Sequence, residues 1–187
     1  SLFDSPEEDV RFAAWTTTPW TLPSNTALAV GPNIEYVKIK SFNPYTAEPQ
    51  SMILAKDLVN NWFKAEGLGA EMTYNASDKV VPYQIVAEYK GKDLAFIKYE
   101  QLLPYVQPEE GDAFRVIVGD FVTTSDGTGI VHIAPSFGAD DRRVAMANGI
   151  GSLTLVDRQG KFVDEVGPFG GRYVKDYKNE GANFKDV

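Results

Sequence analysis

The chain has 187 residues, 43% hydrophobic and 24% charged, the balance of an ordinary globular domain with enough apolar material for one sizeable core. Its 18 basic against 26 acidic residues leave a formal charge of -8, which argues against a protein whose main task is to neutralise a phosphate backbone. With no cysteine and one histidine, disulfide frameworks, thiolate zinc sites, cysteine nucleophiles and multi-histidine metal centres are excluded. No apolar run approaches the roughly 20 residues that span a bilayer, and the first residues lack the basic and apolar regions of a signal peptide. The expectation is a soluble, cytoplasmic protein with no membrane partner. The missing initiator Met, and an end on Asn183, Phe184, Lys185, Asp186 and Val187 without a closing element, read as a single domain, residues 1–187, cut from a larger protein.

Residues 10–15 read as a strand that delivers a run of hydroxyls, Thr16, Thr17 and Thr18, into a corner. Pro19 and Pro23 remove two backbone donors and stop any ladder there, so the hydroxyls leave a strand end and turn, free to contact a ligand. A rigid corner whose hydroxyls cap backbone groups and whose indoles fill the core is the structural alternative. Residues 27–30 are the return strand, and residues 31–33, Gly-Pro-Asn, are a turn. Residues 34–39 alternate as a half-buried strand with Glu35 and Lys38 outward, and residues 51–55 add another, together an antiparallel meander.

Residues 56–66 place Leu58, Val59, Trp62 and Phe63 at helical spacing and stop at Gly67, which predicts the best helix in the chain with Trp62 in the core. Strands are predicted over 80–89, 93–99, 114–118 and 129–134. Residues 138–148 form a short helix with Asp140 and Asp141 in its first turn, and 153–163 a hairpin around the turn 157–160. The fold class is therefore mixed α/β and strand-rich: a β-barrel-like core with a few peripheral helices.

Two segments carry more than structure. The first is Trp15-Thr16-Thr17-Thr18-Pro19-Trp20-Thr21-Leu22-Pro23-Ser24-Asn25. The second, over a hundred residues on, is Gly127-Thr128-Gly129-Ile130-Val131-His132-Ile133-Ala134-Pro135, followed by Gly138-Ala139-Asp140-Asp141. Together and in this order they resemble the threonine-rich and Gly-Thr-Gly-x-Val-His-x-Ala-Pro motifs of the editing (CP1) domain of isoleucyl-tRNA synthetases, within the Val/Ile/Leu class I family. Thr18-Pro19-Trp20 matches the isoleucyl branch; in the valyl and leucyl branches the motif looks more like Thr-Thr-Arg-Pro. Phe137 stands where many members carry His, and Arg142 where many carry an aromatic residue, which leaves His132 the only imidazole.

The resemblance implies a β-barrel flanked by helices that hydrolyses valine from wrongly charged tRNA(Ile). Its partners are then the acceptor end of that tRNA, with its aminoacyl adenosine, and the rest of the parent synthetase; the isolated domain is expected to be a monomer. An α-ammonium calls for a carboxylate, a ribose and a developing oxyanion for hydroxyls and N–H groups, and a small aliphatic side chain for an apolar wall. Neighbouring helical residues point about 100° apart, so Asp140 and Asp141 cannot both face one ligand. By the motif, Asp141 holds the ammonium, Thr16, Thr17 and Thr18 position ester and water, His132 contacts ribose or carbonyl, and Trp15, Trp20 and Thr21 line the substrate. Asp140 is left to the helix dipole.

An ester needs no covalent nucleophile, so direct attack by water is expected and no cofactor in the editing domain, the ATP and Mg of the parent's synthetic reaction lying elsewhere. A non-catalytic, strand-rich binding module with a Thr/Trp ligand platform is the runner-up. A metal-dependent phosphohydrolase using Asp126, Asp140 and Asp141 lacks ligand spacing, and no Lys follows Gly127-Thr128-Gly129 as a phosphate-cradling loop requires.

Overall fold

The computed structural model describes residues 2–175; the terminal stretch at Asn183 to Val187 lies outside the described residues. Its strands are β1 (Val10–Phe12), β2 (Ala27–Val30), β3 (Glu35–Phe42), β4 (Pro49–Ala55), β5 (Gln84–Lys90), β6 (Arg115–Val118) and β7 (Ile130–Ile133). The α-helices are α1 (Val59–Trp62), α2 (Gly91–Leu94) and α3 (Ala139–Ala147), supplemented by 3-10 turns. One sheet runs β1-β4-β3-β5 and the other β6-β2-β7. The chain is strand-rich mixed α/β, as the pattern predicts. Its contacts divide it into two compact units, residues 2–15, 29–95 and 118–131, and residues 16–28, 96–117 and 132–175.

In the first unit β3 is the central strand, antiparallel to β4 from Tyr36↔Ala55 to Phe42↔Pro49 and antiparallel to β5 with a bulge between Lys38 and Ile39. A continuous antiparallel meander is not what forms: β1 pairs parallel to β4, Val10 opposite Ser51 and Phe12 opposite Ile53. A three-residue strand carries no sequence mark of its direction. Val37, Ile39, Leu54, Val59 and Tyr83 make the core of this unit.

Lys38 does not face solvent as alternation implies. It is 1% exposed, its ammonium 2.8 Å from Glu8 and donating to the Leu2 carbonyl at 2.9 Å, with Asp4 at 3.4 Å. The acidic segment 4–8 folds over the strand and supplies the counter-charge, while Glu8 also accepts from Ser51 at 2.8 Å.

The predicted helix 56–66 breaks into a 3-10 turn (Lys56–Leu58), the single turn α1 and a second 3-10 turn (Ala65–Gly67). Phe63 leaves the helix with φ -122° and ψ 133° so that its ring packs 4.8 Å from that of Tyr83. Trp62 is consequently 48% exposed rather than core. The predicted strand 93–99 forms instead as α2 followed by an isolated bridge, Lys98 to Arg115. Buried Gly91 here packs so closely that an added Cβ would lie 1.9 Å from the Gly31 carbonyl oxygen.

In the second unit the predicted hairpin is present in reduced form, with Val156 bridging Phe162 and the Asp157 N–H donating to the Lys161 carbonyl at 2.8 Å. Leu153, Leu155, Phe162, Val166 and Val174 form its core.

Truncating Glu8 removes the shorter carboxylate contact of buried Lys38 and leaves it only the exposed Asp4, at 3.4 Å, so Glu8→Ala is expected to cost about 2 kcal/mol. Urea midpoints of the variant and of the original chain at matched pH measure it. A loss under about 0.5 kcal/mol, the range of ordinary surface substitutions, would show that the pair does not hold the N-terminal segment.

Candidate active site

The hydroxyl corner is a loop that runs into a 3-10 turn, Pro19–Ser24, with Pro19 at its first position, where a missing N–H costs nothing. The Thr18 N–H donates to Thr16 Oγ1 at 3.1 Å, and the Thr21 N–H donates to the Thr18 carbonyl at 3.0 Å. Thr16 is half-buried. Thr17 is exposed and makes no hydrogen bond among the described residues; Thr18 is exposed as well.

What holds this corner is His132, buried at the end of β7. Asn25 Nδ2 lies 2.8 Å from His132 Nδ1, and Thr21 Oγ1 lies 2.9 Å from Nε2. The direction of each bond follows from its neighbour. The Tyr99 hydroxyl donates to Asn25 Oδ1 at 2.5 Å, so the amide turns its N–H groups to the Ala27 carbonyl (2.8 Å) and to His132 Nδ1. Nδ1 therefore accepts, and Nε2–H donates to Thr21 Oγ1, whose own proton goes to the Thr18 carbonyl at 2.8 Å. Burial lowers the imidazole's pKa from 6.5 to about 4 and so keeps it neutral.

Asp141 sits in the first turn of α3 and folds back along the strand end: Oδ2 accepts the Ala134 N–H at 2.8 Å. Gly138 makes room for it, because an added Cβ would stand 3.0 Å from the carboxylate. Desolvation raises its pKa, opposed by the backbone N–H it accepts. Asp140, one residue earlier, turns out to solvent, 70% exposed, and pairs with Arg143 at 3.1 Å. The two carboxylates thus face different surroundings, as helix geometry requires.

Trp20 is edge-on to Phe137 at 5.3 Å, packs against the core of the second unit and has the Lys175 ammonium 5.2 Å from its ring centre. Its buried Nε1–H has no hydrogen-bond partner among the described residues. Trp15 belongs to the first unit, 43% exposed, with its ring 5.4 Å from that of Trp62. Asn25 and Tyr99 were not among the residues expected from sequence. A buried Asn just before the apolar run 27–30 is a readable signal for the first; nothing in the sequence marks Tyr99 out from eight other tyrosines. Among the described residues no three His, Asp or Glu side chains converge to hold a metal.

Comparison with solved structures places this fold among aminoacyl-tRNA synthetase editing domains. The chain superposes on GlLeuRS-CP1 with a TM-score of 0.53 at 21% identity, covering 74% of this chain and 43% of that one. It superposes on the Plasmodium knowlesi cytosolic leucyl-tRNA synthetase editing domain with a TM-score of 0.53 at 16% identity, covering 73% and 49%. By sequence it is 57% identical over 181 residues to the isoleucine–tRNA ligase of Cytophaga hutchinsonii, which covers 90% of the chain and 16% of the relative. It is 45% identical over 180 residues to that of Clostridium tetani, covering 96% and 15%. Over this segment the chain belongs to the isoleucine–tRNA ligase family, and it spans about a seventh of the length of the curated relatives it matches. No protein-family model matches it.

His132 titrates at 6.5 when exposed and at about 4 when folded, so the unfolded chain takes up the proton first. The stability gained from burying the neutral ring is complete above about pH 6.5 and is lost as pH falls from there through 4, a total of about 3 kcal/mol. As this is the chain's one histidine, the slope of unfolding free energy between pH 6.5 and 5 reports it. His132→Gln should flatten that slope; an unchanged slope would place the proton uptake elsewhere.

Proposed function

We propose that this chain performs post-transfer editing: it hydrolyses the aminoacyl ester of valyl-tRNA(Ile) and spares the isoleucyl ester. The observation that carries the reading is a hydroxyl corner locked to a neutral, buried His132, with the half-buried carboxylate of Asp141 tied two residues further along the same strand end, at Ala134. Membership of the isoleucine–tRNA ligase family supplies the substrate class.

In this reading Asp141 receives the α-ammonium, and Thr16, Thr17 and Thr18 orient the ester and one water. Water oxygen adds to the ester carbonyl carbon; the oxyanion takes hydroxyl and N–H donors; collapse breaks the bond to the ribose oxygen, which leaves with the proton the water gave up. The terminal hydroxyl of the tRNA assists. Both ring nitrogens of His132 are engaged within the protein, so we assign it the positioning of Thr21 and Thr18 rather than proton abstraction. Trp20 and Phe137 supply the apolar wall, next to Thr21.

A second pocket is needed because one methylene is worth only about 1–3 kcal/mol of discrimination, isoleucine against valine being the standard case of that limit. A wall too tight for the extra methylene rejects isoleucine by overpacking. The chain acts as a monomer on the acceptor end, together with the remainder of a cytoplasmic synthetase, and without a metal or other cofactor of its own.

Deacylation of valyl- and isoleucyl-tRNA(Ile), with and without chelator, tests this. Loss of the valyl ester alone, insensitive to chelator, is expected, and Asp141→Ala should slow it at least about a hundredfold, or roughly 2.7 kcal/mol of lost transition-state binding. The rate should fall on acidification through an Asp141 pKa above the ordinary carboxylate value, because only the ionised form holds the ammonium. Equal slow loss of both esters, unaffected by Asp141→Ala, would leave a binding module instead.

A further inference from the structure

The first unit contains a cavity of about 430 Å³ that the hydrolytic reading does not use. Its volume is that of a small-ligand site. Phe42, Met52, Leu54 and Phe63 line it with apolar surface, and Trp15 and Trp62 are part of its wall. Both indoles are exposed, 43% and 48%, although each has large apolar faces that water solvates poorly. Gly127 fixes them. An added Cβ there would stand 2.9 Å from Cδ1 and Cγ of Trp15, the residue's φ is +69°, and its carbonyl accepts the Trp62 Nε1–H at 2.9 Å. The rings meet at 55° rather than stacking flat on one another, so neither covers the other's face.

The cavity is also lined by two lysines in a chain of formal charge -8. Lys64 and Lys79 are exposed and have no acidic partner among the described residues, and Lys64 donates to the Lys79 carbonyl at 3.1 Å. Lys38, Lys40, Lys56 and Lys90 of this unit are paired with carboxylates, and Lys92, which has no acidic partner among the described residues, does not line the cavity. An apolar peptide would use the indoles and leave the two cations idle. A nucleotide uses both, its base on the aromatic faces and its phosphate on the ammonium groups.

We infer that this cavity is a subsite for one unpaired nucleobase of single-stranded RNA, stacked on the indole of Trp62 with the tilted ring of Trp15 against its edge and its flanking phosphates held by Lys64 and Lys79. The inference rests on the editing reading, which brings a single-stranded acceptor end to the protein; Trp15 directly precedes the hydroxyl corner in the chain.

Titration of the chain with the trinucleotide cytidylyl-cytidylyl-adenosine, followed by tryptophan fluorescence, tests it without any hydrolysis. Trp62→Ala should weaken binding about tenfold. The double variant Lys64→Glu, Lys79→Glu should weaken it by a similar factor and make the dependence of log affinity on log salt shallower by about 0.7 for each phosphate contact removed. Because both lysines are exposed and unpaired, this second variant keeps the test decisive if Trp62→Ala fails to fold. With valyl-tRNA, the double variant should raise KM more than it lowers kcat. Unchanged trinucleotide affinity in the folded variants overturns the subsite, and the editing reading then stands or falls on deacylation by the original chain. Trinucleotide binding that depends on these residues, in a chain that deacylates nothing, would overturn the editing reading and keep the subsite.

Discussion

A single neutral imidazole carries the geometry of the candidate site. His132 stands in a relay that runs from Tyr99 through Asn25 and His132 to Thr21 and Thr18, drawing on three separate stretches of the chain. Each member has one remaining role once its neighbour's is fixed, so the chain of donors has one direction. Protonation of Nδ1 would set an N–H against the Asn25 N–H and break the relay at its middle, which is why the burial that keeps the ring neutral is a structural requirement and not an incidental one. The hydroxyl corner keeps its shape for the same reason.

The second motif is short-range geometry as much as chemistry. Gly129 has φ +73°, and a Cβ on it would stand 2.5 Å from the Cβ of Ala55, while Gly127 is pressed against Trp15. Between them the Thr128 carbonyl accepts the Ala55 N–H at 2.8 Å. Both glycines of the Gly-x-Gly run are therefore closely packed just before β7, where a side chain would clash. Further along the same segment, Gly138 leaves space for the Asp141 carboxylate to reach back to Ala134.

What could be read from sequence follows from the range over which the physics acts. β2, β7 and α3 were legible because their signals are local: an apolar run, a β-branched run between glycines, an acidic first turn closed by Asn148-Gly149. The different fates of Asp140 and Asp141 follow from helix geometry alone. The helix predicted over 56–66 failed where a tertiary contact prevailed, since the Phe63 ring reaches Tyr83 only if the backbone turns extended. Lys38 looked solvated because alternation does not know that an acidic segment will fold over it. The parallel pairing of β1, and Tyr99 as the outer end of the relay, depend on contacts 41 and 74 residues apart, which no window of sequence contains.

On the proposed reading, charge explains why this site would take a cationic amino group. Desolvation raises the pKa of the Asp141 carboxylate, so its negative charge is held at a cost that a cation beside it would offset. In that reading, hydroxyls and backbone N–H groups meet the ester with dipoles rather than net charge, leaving the one ionic contact to the α-ammonium. On the proposed reading this makes the free amino group a requirement for binding: an ester whose nitrogen is acylated lacks the cation, leaves the desolvated carboxylate unpaired, and is disfavoured even when its side chain fits.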